Sequence, residues 1–70
     1  MKWLIKKYMA QAKINSYDEL YKEAGMKKAT FYKRLAHPRT LTIPEIEALN
    51  EVLNFSDEDM LLIIKGGIEN

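Results

Sequence analysis

The sequence predicts an all-α fold of five short helices, and three observations carry that expectation. A Ser or Thr followed three residues later by an acid recurs at Ser16–Glu19, Thr42–Glu45 and Ser56–Asp59, the signature of a capped helix start. Apolar residues return at three- and four-residue spacing between these marks. Nothing alternates with period two for long enough to form a strand.

Taken in order, the first helix follows from Leu4, Tyr8 and Ala12, with Ile5 and Met9 beside them, and runs from about Lys2 to Gln11. The second opens at Ser16 and reaches about Ala24, where Gly25 takes the left-handed terminating conformation. The third covers Lys28 to Leu35, with Phe31 and Leu35 facing inward, and His37-Pro38 forces a stop. The fourth opens at Thr42; Pro44 is tolerated in its first turn, and Ile43, Ile46, Leu49 and Leu53 form its core face. The fifth opens at Ser56 and ends at Gly66-Gly67, with Lys65 in its final turn. Each cap contributes about 1 kcal/mol.

A chain of 70 residues makes one domain, here residues 1–70, with 66–70 as a short tail. Cysteine is absent and His37 is the single histidine, which excludes disulfides, thiolate sites and multi-histidine zinc. Asp57, Glu58 and Asp59 are explained by capping, not by a calcium loop, so neither metal nor cofactor is expected. No nucleophile–base pair or convergent carboxylates suggest an enzyme or a small-molecule substrate. The apolar start is broken by Lys6 and Lys7, against a signal peptide, and no membrane span is present. A cytoplasmic protein is expected.

The net charge of +1 conceals a division. Residues 24–44 carry Lys27, Lys28, Lys33, Arg34 and Arg39 with no acid, whereas residues 45–70 set seven acids against Lys65 alone. That split points to a polyanion partner for the middle of the chain. The middle is also helix, Gly-centred turn, helix: Leu20 and Ala24 face inward, Gly25 turns, Met26 plugs the corner, and Phe31 anchors the following helix. Lys28, Ala29, Tyr32 and Lys33 are then left pointing outward. A helix with such a face fits the major groove of B-DNA, about 12 Å wide.

The run from Ser16 to Leu35, with its turn at Gly25, resembles the helix-turn-helix of lambda-repressor-like proteins, especially short Cro-like and XRE-type regulators of phages and prophages. The segment Ala29-Thr30-Phe31-Tyr32-Lys33-Arg34-Leu35, followed by Pro38 and then Leu41-Thr42-Ile43-Pro44-Glu45-Ile46, is similar to a variant common in phages of Gram-positive bacteria. The resemblance covers about residues 3–65, with the helix-turn-helix at about 16–36, and implies a compact five-helix lambda-repressor-like DNA-binding domain. Three positions depart from the family pattern: Tyr17 stands where many members have a phosphate-gripping Gln, Tyr21 where many have Ala, and Lys27 where many have a Ser or Thr cap.

Carried over by position, the resemblance implies Lys28, Ala29 and Lys33 as readers of base edges, with Tyr32 beside them. Tyr17, Lys27 and Thr30 would contact phosphate, and Arg39 would clasp the backbone from the loop before the fourth helix. Lysine can donate to guanine O6 and N7, and a methyl can meet the thymine methyl. Other readings stand beside these. The cations could form an ordinary solvated face, Tyr17 and Tyr32 could be core aromatics, and Arg34 could pair with an acid. Tyr21 is expected in the core with its hydroxyl at the surface, Trp3 is expected to cap the core, and His37 is expected to be exposed.

Met60, Leu61, Leu62, Ile63 and Ile64 cover most of a helix's circumference. Leu61 and Ile64 are expected to face inward with Phe55, leaving Leu62 and Ile63 as a dimer interface that would set two recognition helices on a pseudo-palindromic site. The competing expectation is that Leu4, Ile5 and Tyr8 cover the stripe completely. Two functions follow from different classes. One is a sequence-specific regulator of double-stranded DNA, a Cro-like repressor acting by operator occupancy and associated with the nucleoid. The other is a small phage protein-binding module that uses the same scaffold to capture a protein.

Overall fold

The computed structural model describes residues 2–65. Its helices are α1 (Lys2–Ala12), α2 (Tyr17–Glu23), α3 (Lys28–Ala36), α4 (Ile43–Leu53) and α5 (Asp57–Ile64), with a 3₁₀ turn at Pro38–Thr40 between α3 and α4. Among the described residues there is no strand. The expected stop at Gly66-Gly67 and the tail 66–70 lie outside the described residues.

The caps explain where each helix starts and stops. The Ser16 hydroxyl accepts from the Glu19 N–H at 3.2 Å, while the Glu19 carboxylate reaches back to the Asn15 N–H at 3.1 Å, one residue earlier than a standard capping box. At α4 both arms of the box close between Thr42 and Glu45. At Ser56 the return arm is replaced altogether. The Tyr8 hydroxyl, arriving from α1, accepts from the Ser56 N–H at 3.1 Å and donates to the Asp59 carboxylate. That three-residue node joins α1 to the start of α5, and Lys7 lies 3.9 Å from the same carboxylate.

Helix ends are equally specific. Gly25 has φ +73°, and the Gly25 N–H bonds to the Lys22 carbonyl while the Met26 N–H bonds to the Tyr21 carbonyl. These paired bonds make a Schellman motif, which requires the left-handed conformation that glycine adopts without strain. The end of α1 has the same bond pattern, Lys13 to Ala10 and Ile14 to Met9, but its left-handed residue is Lys13, φ 61°. Asn54 performs the turn after α4, where the Asn50 side chain accepts from the Phe55 N–H at 2.9 Å.

The core gathers Leu4, Ile5, Tyr8 and Met9 of α1, Leu20 and Tyr21 of α2, and Phe31 and Leu35 of α3. Ile46, Leu49 and Leu53 of α4, Ile63 of α5, and the loop residues Ile14 and Phe55 complete it. α4 is the centre of this packing and touches α1, α2 and α5. Three inward assignments from the sequence need correction. Ala12 is exposed, because the chain reverses at Lys13 and sends Ile14 inward instead. Ile43 is exposed, since it occupies the first turn of α4 beyond the edge of the core. Trp3 does not cap the core; it is 56% exposed.

The fourth correction concerns α5. Ile63 is buried, whereas Leu61 and Ile64 are exposed, the reverse of the expected phase; Leu62 is exposed as expected. The node at Tyr8 explains the rotation. Binding Asp59 to α1 turns the 59, 60, 63 row inward, at helical spacing, so Met60 and Ile63 follow it against the core. Ile63 is therefore unavailable as an interface residue in this fold. The α5 stripe is also not fully covered by α1, because Leu61, Leu62 and Ile64 remain in solvent.

Candidate nucleic-acid interface

α3 has two faces, and its burial pattern decides which is which. Phe31 and Leu35 enter the core. Lys28 and Tyr32 lie one turn apart on the outer side, as do Ala29 and Lys33, and all four are exposed. Lys27 caps the helix with its backbone in an extended conformation but without a side-chain hydrogen bond. It is exposed, and Thr30 is half-buried. Arg39 is exposed on the 3₁₀ turn beyond the other end of α3. His37 caps that end of α3 and is exposed as well.

An aromatic cluster fixes how α3 sits on α2. Phe31 lies 5.5 Å from the Tyr17 ring, 5.7 Å from Tyr21 and 5.4 Å from Tyr32. Tyr17 and Tyr32 meet edge to face at 6.0 Å. Tyr21, standing where the family often has a small residue, is buried in this stack. Burial pushes its phenol above the ordinary tyrosine value, and the neighbouring Asp18 carboxylate adds to the rise. Tyr17 takes only in part the core role weighed for it. Its ring packs on Phe31, yet its hydroxyl is shielded from solvent without a hydrogen-bond partner. Burial, and then the Tyr32 hydroxyl, push its pKa upward.

Arg34 leaves the outward face. Its Nε donates to Glu45 Oε1 at 3.0 Å, which ties α3 to the first turn of α4. Burial alone would raise the Glu45 pKa, but the Thr42 N–H and the Arg34 guanidinium outweigh it and hold the carboxyl below the ordinary value of 4.5. Sequence spacing foretold the bond from Glu45 to Thr42. The reading that Arg34 pairs with an acid holds as well, but spacing could not name Glu45 as the partner, because the bond joins residues from different helices.

What remains outward on α3, besides Ala36 at its end, is a short strip of two cations, a phenol and a methyl, without an acid. Such a strip can donate hydrogen bonds to base edges and make an apolar contact with a thymine methyl. Among the described residues no group of acids and histidines is arranged to hold a metal, and no helix is long and apolar enough to cross a membrane. Residues 5–65 match the family model for the Cro/C1-type HTH DNA-binding domain. No curated protein and no solved structure gave a match.

Proposed function

The chain belongs to the Cro/C1-type helix-turn-helix family, whose domains bind DNA and are not enzymes, and from that premise we propose that it is a sequence-specific repressor acting by operator occupancy. The observation that carries this reading is the joint exposure of Lys28, Ala29, Tyr32 and Lys33 on α3 with no acid among them. Lys28 and Lys33 read base edges, Ala29 meets a thymine methyl, and Tyr32 packs beside them. Tyr17, Lys27, Thr30 and Arg39 position the domain on phosphates. Occupancy alone is enough to block polymerase, which is how this domain represses. The resemblance to short phage and prophage regulators supports a role in such a genome, on the nucleoid of a bacterial host.

The repressor acts as a two-fold dimer through α5, whose exposed Leu62, flanked by Leu61 and Ile64, supplies the apolar surface. The described chain measures 26 × 24 × 21 Å over its Cα atoms. Two copies side by side can therefore place their α3 helices about one DNA turn, roughly 34 Å, apart on a pseudo-palindrome.

Titrating the protein into random-sequence duplex at several salt concentrations, then sequencing the bound fraction, tests the function. Binding should weaken steeply with salt, and a palindrome should be enriched. Lys28→Ala with Lys33→Ala should abolish the enrichment. If the unaltered protein ignores duplex even at low salt, DNA is not its target, and a protein partner docking on α5 becomes the reading to pursue.

A further inference from the structure

We propose that the DNA-binding surface extends beyond the helix-turn-helix onto α1, where Lys2 and Lys6 hold the sugar–phosphate strand that flanks the groove read by α3. This inference rests on the DNA-binding reading above and adds two positioning residues to it.

Three observations converge on these lysines. They stand one helical turn apart on α1, and both are exposed. Among the described residues neither has an acid within ion-pair distance, whereas their neighbour Lys7 is engaged by Asp59. Both line an open groove of about 410 Å³ whose other wall is Tyr17, Tyr32, Leu35 and Ala36. The groove therefore begins at the exposed aromatic of α3 and ends at the cations of α1. Tyr17, whose hydroxyl lacks a partner, belongs to it.

Lys2 also borders a second groove, shared with Leu35, Ala36 and the 3₁₀ turn that carries Arg39. It thus bridges the two regions where phosphate contacts are expected, Tyr17 on one side and Arg39 on the other. Neither groove has a carboxylate in its lining. Of the three acids that dilute the charge of the first third of the sequence, Glu19 and Glu23 join Glu51 around a separate groove beside Ala12 and Ile14, while Asp18 interacts with the Tyr21 phenol and lines neither groove. Folding sorts these charges in a way the linear sequence hides. A continuous acid-free rim with cations at both ends is complementary to a polyanionic strand, and exposed lysines are suited to phosphates as mobile point charges.

The test compares the unaltered protein with the double variant Lys2→Ala, Lys6→Ala on the selected duplex and on random duplex. Both positions are exposed on a helix, so alanine should preserve the fold, and circular dichroism verifies it. Losing two phosphate contacts should lower the slope of log affinity against log salt by about 1.8 and weaken binding about tenfold near 0.1 M salt. The loss should be equal on both duplexes, with the enriched sequence unchanged. Lys22→Ala, on α2 outside both grooves, should leave slope and affinity intact. A double variant that binds with the parental slope and affinity overturns the proposal while leaving the DNA-binding reading untouched. A Lys22→Ala loss of equal size overturns it too, because the effect would then be general charge. Failure of the unaltered protein to bind is the separate failure of the function itself.

Discussion

At the residue scale, Tyr17 is the position where the ring and the hydroxyl of one side chain meet different environments. Its ring is packed against Phe31 and Tyr32, but its hydroxyl has been taken from water without a partner in return. An unsatisfied buried hydroxyl typically costs about 1–3 kcal/mol. Tyr17→Phe keeps the ring contacts and removes that cost, so the free protein should become more stable by about 1 kcal/mol. If the hydroxyl turns to a phosphate on binding, the same variant should bind DNA more weakly. A melting curve and a salt titration on one preparation check both halves; a variant no more stable than its parent would show that the hydroxyl is satisfied in solution. The sequence disclosed that Tyr17 departs from the family pattern. It could not disclose that ring and hydroxyl have different environments, because that division is made by α3, not by any local neighbour.

At the scale of elements, the starts of helices were legible and their rotation was not. Ser16, Thr42 and Ser56 each accept from the N–H three residues on, as their spacing foretold. These are local interactions, and local sequence encodes them. The phase of α5 depends instead on Tyr8, 51 residues from Asp59, and five consecutive apolar residues offer no periodicity from which to choose a face. The bond between α3 and α4 is similarly non-local and leads to a pH prediction. Glu45 in the folded state titrates below its ordinary value of 4.5, so its contribution to stability is fully present above that value and is lost as pH falls through the folded value. Glu45→Gln can retain the bond to the Thr42 N–H but removes the charge facing Arg34. It should destabilise by about 0.5–1 kcal/mol at neutral pH. The gap should close at an acid pH below that folded value, where the parent carboxyl is also neutral. Thermal melts at both pH values decide this, and an unchanged gap would remove the ion pair from the account.

For the whole molecule, the all-helical fold and the Gly25 turn were readable because every level of the sequence favoured them: caps, periodicity, turn chemistry and charge. The candidate site was readable where it lies within one helix. Phe31 and Leu35 dictate that Lys28, Ala29, Tyr32 and Lys33 face outward. It was unreadable where it crosses elements, as at Arg34, whose partner is on α4. Assembly belongs to this scale as well. With Leu61, Leu62 and Ile64 in solvent, a dimer through α5 should be concentration-dependent and should be lost in Leu62→Lys. Sedimentation equilibrium distinguishes the cases, and a parent chain that remains monomeric at high micromolar concentration would sink the dimer.

The Tyr8 node also has a consequence for the order of events during synthesis. Tyr8 leaves the ribosome early, yet Asp59 and the Ser56 N–H, which hold its hydroxyl, are translated 48 to 51 residues later. At about 5–20 residues per second, α1 waits a few seconds for the group that completes it. α2, the turn and α3 emerge in that interval, so a basic recognition surface is exposed on a nascent chain whose core is still open. Closure comes only when α5 clears the exit tunnel, so the basic face of α3 rests on a closed core only after α5 has emerged.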